Sequence, residues 1–338
     1  CYLLTQTVIP ERHAYVLLTA DGRQSYLVCN IEERSARSEA TIEDIRTYVE
    51  FAEKPEAAAA TLLREQGLAG GRIGYEAHTL PAGSLARLQA GLPDATFIPW
   101  DTQFAATLMV KNEAEVAAIE TAGRLTQAAI VDGLTGAAPG SSELAVANRI
   151  LKGIMDAGIV PMFNVFAAGD KLLQAHAEAD NRVMQPGEIV RLDMGGRMSS
   201  SNYLSDMART AVVGAASPAQ AATYAALLDI QLSVMDAARP GRTIASLFEV
   251  CATGFARHNL PFQMPHIGHG MGIGLHEAPM IHPANQTVIE PGMVLNIEPL
   301  VIIPERGECY HTEDLLVVTD SAPRYPTTPQ PTLITIPA

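Results

Sequence analysis

The sequence predicts an α/β (α+β) chain in two units, the second built from two similar halves. Three observations lead there. Strand-like and helix-like stretches alternate through the first hundred residues, a long amphipathic helix then opens a new segment, and beyond it Pro-Gly pairs recur with matching acidic residues behind them. The length of 338 residues agrees, at about twice a common domain.

Composition narrows the class. Hydrophobic residues make up 48% and charged residues 18%, which excludes a disordered or fibrous chain. With 37 acidic against 23 basic residues the net charge is -14, and no Lys/Arg cluster offers a surface for a phosphate backbone, so no nucleic acid partner is expected. No apolar run approaches the roughly 18 residues of a membrane helix, so no membrane partner is expected either. The first ten residues lack the basic start of a signal peptide, and a cytoplasmic location is expected. The numbering opens on Cys1 rather than a methionine, which leaves a truncated or processed start as an alternative. Cys1, Cys29, Cys251 and Cys309 form no CxxC pair, so they are expected as reduced thiols.

The elements follow in order. Apolar runs over 15–19 and 26–29 flank Asp21-Gly22 and read as a hairpin. A helix is expected over 55–66, stopped by Gly67, and a short strand over 72–75 between glycines. From 112 to 134, Val116, Ile119, Ala122, Leu125, Ala129 and Ile130 recur at helical spacing, with Glu113 and Glu115 in the opening turn. The boundary is placed just before this helix, giving units of 1–110 and 111–338.

The second unit repeats itself. Ala138-Pro139-Gly140 precedes a helix opened by Ser141 or Ser142, and Arg239-Pro240-Gly241 precedes one opened by Thr243. Pro186-Gly187 leads to Asp193, and Pro291-Gly292 leads to Glu298, each acid six residues after its glycine. Asp206 and Glu313 then stand ahead of the apolar runs 211–213 and 315–318. The offset is 101 residues for the first glycines (140 to 241) and 105 for the second (187 to 292), so duplicated halves facing a shared core are expected rather than a solenoid.

Side chains alternate across a strand, so Asp193 shares a face with Arg191 and Glu298 shares one with Asn296. Four converging carboxylates repel, each pair by roughly 4 kcal/mol at ~4 Å and an effective dielectric of about 20. Two divalent cations remove that conflict, and oxygen ligands with one imidazole suit Mn, Co, Zn or Fe. His269, in Gly268-His269-Gly270-Met271-Gly272, is the expected imidazole, its small neighbours allowing the backbone to crowd the metal site. Singly, such acids are commonly solvated or turn caps, but Asp193 and Glu298 each end an apolar run, where an unpaired charge is costly.

This set resembles the pita-bread metallohydrolases: Xaa-Pro aminopeptidases, prolidases, creatinase and methionine aminopeptidases. The likeness is carried by Asn202-Tyr203-Leu204-Ser205-Asp206-Met207-Ala208-Arg209-Thr210, by Gly268-His269-Gly270-Met271-Gly272 through His276-Glu277-Ala278-Pro279, by Asn296-Ile297-Glu298-Pro299 and by His311-Thr312-Glu313-Asp314. Residues 1–110 are similar to the creatinase-type N-terminal domain. The resemblance implies that Asp193 binds one metal, that His269 and Glu298 bind the other, and that Asp206 and Glu313 bridge them, with Mn favoured. It implies a metal-bridging hydroxide attacking a peptide bond, Glu298 as proton shuttle, His276 stabilising the tetrahedral intermediate and His176 holding the amide. Release of the N-terminal residue from Xaa-Pro peptides by a homodimer is the activity it implies.

Three departures stand out. The interval from Asp193 to Asp206, 13 residues, exceeds the family's usual spacing. Pro265 stands where a histidine is common and His266 follows it, so His266 is left out of the site. His311 replaces an arginine that helps hold a dipeptide's carboxylate, and reads equally as a substrate contact or as a strand residue capping the site. That substitution opens an alternative, hydrolysis of a small non-peptide amide as in ectoine-hydrolase-like relatives. A non-catalytic binding module is a further alternative, opposed by the full ligand set.

Overall fold

The computed structural model describes residues 2–9 and 11–338, so Cys1 and Pro10 lie outside the described residues. The chain divides into two compact units, Cys1–Phe104 and Ala105–Ala338. In the first, α1 (Tyr2–Thr5) precedes the hairpin of β1 (Tyr15–Leu18) and β2 (Gln24–Cys29), and β2 pairs in parallel with β3 (Ile45–Tyr48) beyond α2 (Glu33–Glu39). Next, α3 (Pro55–Glu65) opens on a proline, where the missing N–H breaks no helical hydrogen bond. Its buried Glu56 accepts hydrogen bonds from Ser84 and Arg87 at 2.6 and 2.7 Å. α4 (Ala82–Gly91) connects the parallel strands β4 (Arg72–Tyr75) and β5 (Thr96–Pro99), and α5 (Asp101–Met109) follows, beginning in the first unit and ending in the second.

In the second unit α6 (Glu113–Thr135) starts on a reciprocal cap: the Asn112 side chain accepts from the Ala114 and Glu115 amides while Glu115 accepts from the Asn112 amide. With α7 (Glu143–Asp156) it packs on the sheet of β6 (Ile159–Ala168), β7 (Ile189–Met198) and β8 (Leu204–Val213), completed at its far edge by β14 (Ile334–Ile336), in the order β14-β8-β7-β6. The second half repeats the plan: α8 (Pro218–Ala237) and α9 (Ile244–Arg257) pack beside β9 (Gly268–Gly270), β10 (Val294–Ile297) and β13 (Asp314–Val317), ordered β13-β10-β9. The hairpin β11 (Leu300–Ile303) and β12 (Glu308–His311) lies against β7 and β8.

The duplication extends to hydrogen bonds. Ser142 and Thr243 cap α7 and α9 and form matching bridges to Val183 and Val288. The amides of Glu143 and Leu144 donate to Arg182 and Asp180, as those of Ile244 and Ala245 donate to Thr287 and Asn285. Gly187 and Gly292 hold φ of 87° and 89° ahead of β7 and β10, a left-handed turn that a side chain would strain. No helix among the described residues is long and apolar enough to cross a membrane. Cys29, Cys251 and Cys309 are free and buried.

One expectation is corrected. Asp206 does not stand ahead of its strand but inside β8, because the turn ends at Asn202 (φ 58°) and pairing begins at Leu204. Glu313 does precede β13, and Glu298 stands just past β10.

Candidate metal centre

The hairpin sets the first two acids by register. Asp193 lies opposite Ala208 and Asp206 opposite Gly195, so the two carboxylates are diagonal neighbours on one face. In the other half Ile297 pairs with Asp314, which places Glu298 and Glu313 one step further along the same two chains. His269 pairs with Asn296, two residues from Glu298. The glycines around it serve strand contact rather than metal crowding: a Cβ at Gly268 would lie 2.1 Å from the Asn296 carbonyl oxygen, and one at Gly270 2.3 Å from that of Ala278.

His269 Nδ1 lies 3.0 Å from the Gly270 carbonyl, which accepts its proton and leaves the Nε2 lone pair free. That Nε2 is 3.5 Å from Asp206 Oδ2 and 3.9 Å from an oxygen of Glu298 and of Glu313. Ligand atoms of Asp193, Asp206 and Glu313 fall within 4.8 Å of one another, as do those of His269, Glu298 and Glu313, and those of Asp206, His269 and His276. The His276 ring lies 4.3 Å from that of His269, centroid to centroid, at 50°. His176 is exposed, in the stretch that follows the short helical turn Gly169–Lys171.

Electrostatics tests whether this cluster fits metal. Burial and Asp206 push Asp193 up to about 7, and burial and Glu298 push Asp206 to about 7. Burial and its carboxylate neighbours raise Glu313 well above the usual range. Glu298 goes the other way: burial opposes its charge, but His266 and His311 outweigh that and hold its carboxyl below the ordinary value. Asp193 Oδ1, Asp206 Oδ1, Glu298 Oε1, Glu313 Oε2 and His269 Nε2 are buried without a hydrogen-bond partner. Buried polar atoms of that kind need compensation, and divalent cations held by Asp193, Asp206, His269, Glu298 and Glu313 would supply it. The residues fit a dinuclear site.

His266, left out of the site on sequence, and His311, read there as a substrate contact or a strand residue capping the site, both reach it. His266 Nδ1 approaches Glu298 Oε1 at 3.4 Å, and His311 Nε2 lies 3.7 Å from Oε2, so both imidazoles flank one carboxylate. His311 is buried on β12, its backbone held by Thr210 Oγ1 through two 2.8 Å bonds. The Asn296 amide donates to Glu313 Oε1 and to the Asp206 carbonyl. Arg209 donates to the Glu313 carbonyl and, at 2.7 Å, to Asp314 Oδ1, an ion pair whose side chains are each 1% exposed. Gln231 and Thr327 complete Asp314. Arg209 and Asp314 stand in the quoted motifs, so the signal was present; their meeting across the halves was not.

Residues 117–320 match metallopeptidase family M24, and residues 1–109 match the creatinase/prolidase N-terminal domain. The chain belongs to metallopeptidase family M24. An Xaa-Pro dipeptidase of Pyrococcus horikoshii is 27% identical over 317 residues, 92% of this chain and 85% of that one. An uncharacterized peptidase of Bacillus subtilis, YqhT, is 29% identical over 75% of this chain and 72% of its own length. A crystal structure of a P. horikoshii dipeptidase superposes with a TM-score of 0.87 at 26% identity, covering 99% of this chain and 92% of the other. The M24 chain thus has the pita-bread architecture behind a creatinase-like domain, with a metal-binding cluster at the meeting of its two halves.

Proposed function

We propose that this M24 chain is a two-metal peptidase that releases the N-terminal residue ahead of proline. The observation that carries the reading is the pair of ligand trios sharing Glu313, in which each of the five residues keeps one buried polar side-chain atom without a hydrogen-bond partner. The likeness to an Xaa-Pro dipeptidase across most of both chains supports the substrate class. Manganese is the proposed metal, since the donors are carboxylate oxygens with a single imidazole.

When bound, a pair of divalent ions would supply a water of lowered pKa and polarise the scissile carbonyl. The chain's own groups supply the rest. Glu298, kept ionised by His266 and His311, is the proton carrier from water to the leaving nitrogen. His276, an exposed residue whose ring lies beside that of His269, is assigned the donor to the developing oxyanion. His176 is assigned to hold the substrate amide.

A second reading, a small non-peptide amide as substrate, is favoured by His311, which leaves no arginine at that position for a dipeptide carboxylate. A panel decides between them: Xaa-Pro dipeptides, longer Xaa-Pro peptides, Xaa-Ala controls and small cyclic amides, each assayed before chelation, after it and after manganese is restored. Chelator-sensitive, manganese-restored cleavage confined to Xaa-Pro substrates is expected. Turnover of the amides alone would install the second reading, and activity indifferent to chelation would remove both.

A further inference from the structure

Arg191 is a buried guanidinium that the metal centre does not use. It sits on β7 two residues before Asp193, on the same face, opposite Thr210, and is 4% exposed. Its Nη2 donates to the main-chain carbonyls of Gln174 at 2.6 Å and Ala175 at 2.8 Å, while its Nε is buried without a partner. Burying a cation is costly unless hydrogen bonds compensate it, so these two carbonyls define what the side chain does.

They belong to the segment that carries His176. Each end of that segment has its own anchor. Lys171 binds Glu143 and Asp180 at 2.5 and 3.0 Å, and the Ala177 carbonyl accepts from the Phe166 amide at 2.9 Å. Phe166 pairs with Leu192, and Val165 with Asp193, so the chain at 177 runs along the outer edge of β6, with that strand between it and the one that bears Asp193. Between the anchors, residues 173–176 are exposed, with the 174 and 175 carbonyls turned inward onto Arg191.

We propose that Arg191 is a positioning residue: by gripping consecutive carbonyls it fixes the turn that presents His176 to the substrate. The proposal rests on the reading of His176 as a substrate contact. A planar guanidinium nitrogen offers its two hydrogens in fixed directions, whereas a lysine ammonium on a flexible stem does not.

The test compares manganese-loaded parent with Arg191→Met, Arg191→Lys, His176→Ala and the two Arg191 variants combined with His176→Ala. An Xaa-Pro peptide serves as substrate, with metal content and hydrogen exchange over 172–178 as parallel readouts. Arg191→Met is expected to lower kcat/KM by up to about 100-fold, the scale of a small misplacement of a reacting group. Metal content should match the parent, exchange over 172–178 should quicken, and Arg191→Lys should recover part of both. In the His176→Ala background neither Arg191 change should cost anything further. An undiminished Arg191 cost in that background, or unchanged exchange over 172–178, overturns the proposal alone. His176→Ala at parental rate removes the His176 reading itself, and the proposal with it.

Discussion

The first half of the M24 unit brings Asp193 and Asp206 together on one hairpin of two ten-residue strands. The second half sets His269, Glu298 and Glu313 on or beside three strands of three or four residues. A long ladder places side chains by register alone, because alternation fixes which residues share a face. Short strands give up that economy but release chain for loops and a hairpin, and these deliver His266, His276 and His311. The electrostatic consequence is an asymmetry: both aspartates are pushed up to about 7, while Glu298, flanked by imidazoles, is held down. The duplicated skeleton supplies candidate ligands from both sides, and the group proposed as proton carrier sits on the diversified side.

That contrast can be broken at its most sensitive point. Glu298→Gln should reduce turnover by about 10²- to 10⁴-fold, the scale of a lost acid–base group, with circular dichroism unchanged. A rate within twofold of the parent would show that the second half holds no special proton carrier.

A smaller effect is expected where the halves are joined. Arg209→Met would leave Asp314 buried without its cation, and urea unfolding should record a loss of about 3–5 kcal/mol. A loss under about 1 kcal/mol would mean that apolar packing alone holds the halves together.

The least effect belongs to the matched caps. Ser142→Ala and Thr243→Ala should each cost about 1 kcal/mol by the same assay. Markedly unequal costs would show that the duplication preserved geometry without preserving energetics.

Much of this was legible beforehand because it is local. Asn112 with Glu115 and the helical spacing behind them specify the start of α6, and the Pro-Gly pairs specify turns that need a left-handed glycine. Matched offsets from those glycines exposed the acids as a set. Asp206 was misplaced relative to its strand because the end of a serine-rich turn, here Asn202 at positive φ, leaves no periodic signal.

What the sequence determined by itself, then, was a set of candidate ligands and the twofold plan, since residue type, strand alternation and spacing act within a few residues of chain. The environment of each group was decided only in three dimensions. Pro265 led His266 to be left out and His311 was open between two readings, yet both approach the oxygens of Glu298. Arg209 meets Asp314 and Arg191 meets the carbonyls of 174 and 175 across pairings that no local pattern encodes. Burial and charge depend on what the folded chain places within a few ångströms, and that distance is a property of the packed halves, not of the order of residues.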